Sequence, residues 1–119
     1  MYVKPIRYTY EFMESNECFT ISFYDKEYKS DLAILGSKSG RDLDKVSLTR
    51  LTPEFFEHTT SFKEANITII CKKIYSQDLN IKNIDTNSIP QSEVDRFYKT
   101  EPAHRMYIGE VINIIDRRN

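Results

Sequence analysis

Arg105-Met106-Tyr107-Ile108-Gly109-Glu110-Val111-Ile112-Asn113-Ile114-Ile115 decides how the 119-residue chain is read. Side chains alternate sides along a strand. Met106, Ile108, Ile112 and Ile114 therefore fall on one face, and Tyr107, Val111 and Ile115 on the other. A strand that is apolar on both faces belongs inside a covered sheet. The stretch predicts a long central strand.

Its partners are sought upstream. Ala65 to Ile74 is rich in β-branched residues and reads as the clearest second strand, with Tyr75 to Leu79 as a continuation. Glu17 to Phe23 alternates, placing Phe19, Ile21 and Phe23 opposite Cys18, Thr20 and Ser22, the pattern of a half-buried strand. Met1 to Ile6 reads as extended, because Pro5 biases Lys4 away from helix. A strand at the initiator Met, with no leader ahead of it, predicts sheet partners elsewhere.

Short helices fill the connections. Arg7 to Asn16 is one, with Thr9 as N-cap, Glu11 in the first turn, Asn16 as the stop, and Tyr8 and Phe12 on one face. Glu27 to Leu35 is a second, with Tyr28 and Leu32 four apart and Gly36 as C-terminal cap. A turn of helix is expected through Asp42 to Val46, and Leu48 to Phe56 reads as loop with a short extended piece. After a polar loop at Asn80 to Ser88, Pro90 to Tyr98 forms a third helix with Val94 and Phe97 inward and Pro90 as start signal. Thr100 to Ala103 breaks it. The fold expected is a single domain over 1–119, mainly β with short helices, built as a small barrel.

Composition narrows the function. Net charge is −1 with acids and bases interspersed, without the basic excess of a nucleic-acid surface. No apolar stretch approaches the roughly 18 residues of a membrane span. Cys18 and Cys71 lie inside apolar runs without metal spacing or a CxxC motif, so buried reduced thiols and a cytoplasmic setting are the expectation. Fifteen aromatic residues, eight Tyr and seven Phe with no Trp, must fill much of the interior.

Gly36-Ser37-Lys38-Ser39-Gly40-Arg41-Asp42-Leu43-Asp44-Lys45 holds two of the three glycines with hydroxyls and cations. Glycine allows backbone N–H groups to converge on an anion, and Lys and Arg supply charge. The Walker A spacing is absent. The plain alternative is a polar helix stop and loop.

Taken in order, several stretches resemble the flavin reductase-like family, which includes flavoredoxins. They are Pro5-x-Arg7-Tyr8-Thr9-Tyr10-Glu11-Phe12, Phe19-Thr20-x-Ser22-Phe23, Gly36 to Lys45, Leu51-Thr52-Pro53 and His104-Arg105-Met106-Tyr107-Ile108-Gly109-Glu110-Val111. The resemblance covers essentially the whole chain and implies an FMN-binding split β-barrel. It also implies an N-terminal truncation, because family members carry a further portion that supplies the first barrel strands and part of the flavin pocket. The expected partner is a second copy in a homodimer, or a completing N-terminal fragment. Nucleic acid and membrane are not expected.

Site residues follow from the resemblance. Arg7, Tyr8 and Thr9 would hold the FMN phosphate, and Ser37, Lys38, Ser39, Gly40 and Arg41 would close over the phosphate and ribityl chain, with Lys45 adding charge. A helix N-terminus beside Arg7 and Thr9 independently suits an anion; the plain alternative has Thr9 as a cap and Arg7 in solvent. Lys45 could instead pair with Asp42 or Asp44. His104 would face flavin and nicotinamide, against a structural role at a strand entry. Tyr8, Tyr10 and Tyr107 are read first as packing residues, Cys18 and Cys71 as core thiols, and His58 as an exposed loop residue. Neither histidine has the acid at ligand spacing that a metal site needs.

The activity implied is an NAD(P)H:flavin oxidoreductase, in which the flavin carries the hydride chemistry and the protein supplies orientation and charge. The rival is a non-catalytic split-barrel remnant acting as a dimerising or partner-completing module. A phospholigand-binding loop protein of another fold is the third reading.

Overall fold

A computed structural model describes residues 1–37 and 44–119. Among the described residues six strands are formed: β1 (Tyr2–Val3), β2 (Cys18–Phe23), β3 (Pro53–Phe55), β4 (Thr60–Phe62), β5 (Ile67–Asp78) and β6 (Arg105–Asp116). Three short α-helices, α1 (Tyr8–Ser15), α2 (Lys29–Ser37) and α3 (Gln91–Tyr98), lie in the connections. The chain is mainly β with short helices, as its pattern predicts.

The strands make an antiparallel sheet ordered β1-β6-β5-β2 and a separate β3-β4 hairpin. Among the described residues these do not close into a barrel. Opposed residues in an antiparallel ladder share a face. Phe19, Cys71 and Val111 therefore form one row, and Ile21, Ile69 and Ile114 the next. Register shifts interrupt the β5–β6 ladder between Ile70 and Cys71 and between Lys73 and Tyr75, and such bulges bend the strands.

The core is Val3, Met13, Phe19, Cys71 and Tyr107, with Tyr10 and Ile69 packed against it. Helix α1 reaches it through Met13 and is tied down by Lys73, whose Nζ donates to the Met13 carbonyl. Gly109 explains how Phe19 fits. A Cβ there would stand 2.7 Å from the Phe19 ring and 2.8 Å from the Cys71 Cβ. Only hydrogen on this Cα leaves β6 close enough for the ring to cross it.

On the other face of the sheet, the hairpin is fastened by hydroxyls. Ser61, buried, lies 2.8 Å from Ser22 Oγ and 3.1 Å from Thr68 Oγ1, and Thr20 Oγ1 donates to the Thr60 carbonyl at 2.9 Å. Arg117 adds a brace, donating to Glu54 at 2.6 Å and to the Lys63 carbonyl at 2.9 Å. Burying hydroxyls costs free energy unless each finds a partner, and this cluster supplies them mutually.

Several local expectations are corrected. Arg7, not Thr9, is the N-cap of α1, and its side chain makes no capping bond; Thr9 falls in the first turn. Asn16 does end α1, its amide donating to the Phe12 carbonyl at 2.8 Å. Gly36 lies inside the last turn of α2, and no described glycine has positive φ. Of the turn expected through Asp42 to Val46, Asp42 and Leu43 lie outside the described residues, and Val46 opens a 3-10 turn, Val46–Leu48. Phe97 faces outward from α3, where Val94 is buried.

Two corrections concern the sheet. On β2 only the start is covered: Cys18 and Phe19 are buried, but Phe23 is 54% exposed. Strand β6 lies between β1 and β5, yet β1 pairs only with Met106 and Arg105. Its second half, although apolar, has no strand on that side among the described residues.

Candidate functional site

Chain topology brings the two ends of the sequence together. The β1–β6 ladder sets Val3 opposite Arg105, one residue after His104, while Lys4 to Arg7 turn directly into α1. A hollow of about 520 Å³ opens at this junction, lined by Lys4, Arg7, Thr9, His104 and Phe97 together with Met1 to Val3. Arg7, Thr9 and His104, predicted as site residues from distant parts of the sequence, share this space.

Sequence reasoning missed two side chains here. Lys4 donates to Glu101 and, at 3.5 Å, to the Phe97 carbonyl, and its ammonium stands 5.8 Å from the Tyr98 ring centre. That bond, with the charges of Lys4, Arg7 and His104, holds the Glu101 carboxyl below the usual carboxylate range. The second is Tyr98, whose Oη lies 2.7 Å from His104 Nδ1. With Nδ1 engaged, Nε2 is the nitrogen left for a ligand. Lys4 sits in an extended dipeptide and Tyr98 six residues from His104 across a helix end, so neither carried a local signal.

A larger hollow of about 650 Å³ adjoins this one, sharing Met1 and Thr9 with it. Its walls include Phe12, Met13, Phe19, Phe62 and His58. Sequence reading gave His58 no role beyond its loop. Thr9, in the first turn of α1, stands where the two spaces meet.

Behind the site, Tyr107 donates to Glu14 at 2.7 Å, and Arg105 Nε approaches the same Glu14 oxygen to 2.7 Å. Arg105 also reaches Asp78 and Ser76, each at 2.9 Å. Burial, then the bond to Glu14, pushes the Tyr107 phenol well above its ordinary pKa. These groups anchor α1 to β5 and β6. Cys18 and Cys71 are free and buried, and burial raises the Cys71 thiol.

The remaining predicted residues are scattered. Tyr8 packs edge-on against Phe12, with centroids 4.8 Å apart. Ser37 is the exposed last residue of α2, and Lys45 donates to the Leu35 carbonyl at 2.6 Å near the end of that helix. Neither lines the Arg7 hollow. Lys38, Ser39, Gly40 and Arg41 lie outside the described residues.

No protein-family model matches the chain, and no curated protein matches it. Solved structures do. An FMN-binding protein from Thermus thermophilus superimposes with a TM-score of 0.72 at 16% identity, over 98% of this chain and 52% of its own. A flavoredoxin from Methanosarcina acetivorans gives 0.70 at 17% identity, over 98% and 50%. A protein assigned as a flavin reductase with a split barrel domain, from Shewanella frigidimarina, gives 0.71 at 19% identity, over 98% and 50%. At such identities the likeness is one of fold. The chain has the fold of the FMN-binding, flavin reductase-type split-barrel proteins, and it spans about half the length of these structures. No helix among the described residues is long and apolar enough to cross a membrane.

Proposed function

We propose that the chain binds FMN and forms part of an NAD(P)H:flavin oxidoreductase-type protein. The supporting observation is the convergence of Arg7, Thr9 and His104, with Lys4, on one hollow in a fold shared with FMN-binding proteins. The donor set fits a phosphate monoester. Arg7 offers a guanidinium fork, Lys4 an ammonium, and the first turn of α1 has N–H groups without intrahelical acceptors. The adjoining aromatic-walled hollow suits a planar ring.

Bound flavin would supply the hydride acceptance that no side chain here can perform. The chain's own residues would do the positioning. Arg7 and Lys4 neutralise the phosphate, and Tyr98 fixes the His104 ring so that Nε2 meets the cofactor or the nicotinamide side. Phe12 and Phe19 exclude water from the larger hollow. Glu101 keeps Lys4 in place until an anion competes for it.

The test is a visible absorption spectrum of the purified chain titrated with FMN. A shifted flavin band and bleaching by NADH support the reading. Arg7→Ala and Lys4→Ala should each weaken FMN binding about tenfold, the loss of one charge-assisted contact. Free-flavin spectra throughout the titration sink it. A second reading, a non-catalytic split-barrel module without tight FMN, is favoured by the open second half of β6 and predicts that outcome.

A further inference from the structure

The β5–β6 ladder closes at the pair Asp78–Arg105, and just beyond it the Leu79 N–H donates to the His104 carbonyl at 2.9 Å. Between these residues the chain leaves the sheet for an excursion over 80–103. It opens on a 3-10 turn at Ile81–Asn83, capped by Asn80, whose Oδ1 accepts the Lys82 N–H at 3.0 Å. Side chains three apart eclipse in such a turn, which sets Ile81 and Ile84 on one side. Helix α3 then carries Tyr98 back to the neck, where its Oη meets His104 Nδ1 at 2.7 Å.

A pocket of about 210 Å³ lies between the turn and the helix end, lined by Leu79, Asn80, Ile81, Asn83, Ile84 and Tyr98. It shares no lining residue with the two hollows beside α1, and nothing from β1 contributes to it.

The wall specifies the occupant. Leu79, Ile81 and Ile84 are aliphatic, Tyr98 offers a ring, and among the described residues no charged side chain lines the space. The backbone groups of the turn are already satisfied: the Asn83 N–H donates to the Asn80 carbonyl at 2.9 Å, and the Ile84 N–H to the Ile81 carbonyl at 3.1 Å. Leu79 and Ile81 are nonetheless 41% and 40% exposed. Filling the pocket with apolar matter takes that surface out of water. An apolar cavity of about 150 Å³ engineered into another protein takes up benzene, so the volume here suits one ring with a small substituent.

His104 ties the pocket to the rest of the molecule. Both of its tethers end on the wall, its carbonyl on the Leu79 N–H and its ring on the Tyr98 hydroxyl. A molecule seated between Leu79 and Tyr98 packs best when both walls are in place. It therefore favours the state in which His104 is held.

We propose that the pocket between the 80–84 turn and Tyr98 binds a neutral, single-ring aromatic molecule, and that its occupancy is coupled through Tyr98 to the setting of the His104 ring. Neither part requires flavin or the Arg7 hollow.

Phenol is the probe, titrated into the chain without flavin and followed by NMR of the histidine rings. The chain has two histidines, so His58 serves as internal reference. The His104 signal should move saturably, with a dissociation constant of about 1 mM, the affinity open to so small a ligand, while His58 stays. Benzoate, the same ring with a charge, should bind about tenfold more weakly, because the wall offers no cation to a desolvated carboxylate. Ile81→Asp alters an exposed residue and should weaken phenol binding about tenfold, by setting a charge against the ring, in a chain of unchanged circular dichroism. Tyr98→Phe keeps the ring and loses the bond. Phenol should still bind it, read from the Ile81 and Ile84 methyl signals, with His104 no longer responding. The inference is overturned if no shift saturates, if benzoate binds as well as phenol, or if Ile81→Asp binds phenol as the wild type does. A moving His58 with a still His104 places phenol in the larger hollow and also overturns it. So does a His104 shift that persists in Tyr98→Phe, which removes Tyr98 as the link.

Discussion

Tyr98 Oη lies 2.7 Å from His104 Nδ1, and the two rings meet edge to face with centroids 5.8 Å apart. The pair spans the break between α3 and β6, so it sets both the position of His104 and the end of the loop. Tyr98→Phe should lower folding stability by about 0.5–1.5 kcal/mol, the net worth of one hydrogen bond. In urea unfolding, His104→Ala combined with Tyr98→Phe should cost less than the sum of the single changes. Strict additivity would show that the bond contributes nothing.

Gly109 beneath the Phe19 ring gives a second expectation. Gly109→Ala adds a methyl group at 2.7 Å from that ring, and overpacking of this kind costs about 1–3 kcal/mol. Phe19→Leu in the same chain should recover part of the loss, measured by denaturation midpoints. A single Ala substitution without effect would mean that the sheet relaxes freely at this point.

Ser61 joins the hairpin to the sheet through Ser22 and Thr68. Ser61→Ala leaves buried Thr68 with one hydroxyl partner fewer and should destabilise the chain by about 1–3 kcal/mol. Protease cleavage within 56–59, the hairpin turn, should quicken at the same time.

Asp31 is buried and takes bonds from Arg50 at 3.0 Å (backbone N–H), 3.1 Å (Nε) and 2.7 Å (Nη2). The Arg50 side chain, then its N–H, holds the Asp31 carboxyl below its ordinary value. A depressed folded pKa means stability that is complete above the unfolded value of about 3.9 and is lost as pH falls through the folded one. Asp31→Asn should lower Tm at neutral pH and flatten the decline of Tm below about pH 4. An unchanged acid limb would rule out this pair as its source.

Much of this architecture was legible. Strands β2, β5 and β6 are long enough for periodicity to show, and α1 and α3 carry a stop (Asn16) and a start (Pro90) residue at their ends. The β3-β4 hairpin was not, because strands of three residues hold barely one full alternation. Pro53 tolerates the first place in a strand but signals a loop to any local reading. For β6, apolar residues on both faces were read as burial, whereas the structure leaves half the strand open: pattern reports what a surface needs, not whether this chain supplies it. The site was half visible. Arg7, Thr9 and His104 stood in recognisable stretches, while Lys4 gains its role only from the meeting of chain regions some ninety residues apart, and Tyr98 from a pairing with His104 across the end of α3.

Glu101 supplies a prediction for the hollow itself. Its carboxylate neutralises Lys4, so Glu101→Gln should free the ammonium and tighten binding of inorganic phosphate or FMN severalfold at low salt, with the gain shrinking as salt rises. Isothermal titration at two ionic strengths measures this, and weaker binding would mean that Glu101 organises Lys4 instead of competing for it.

The bond from the Met1 ammonium to the Tyr107 carbonyl joins groups 106 residues apart. At ribosomal speeds of about 5–20 residues per second, the opening strand waits about 5–20 s for its mate to be made. During that interval Tyr2, Val3 and the apolar side of α1 have nowhere native to go. Production of this chain in cells should therefore depend on holdase capacity more than 119 residues suggest, and slower translation should lengthen the hazard.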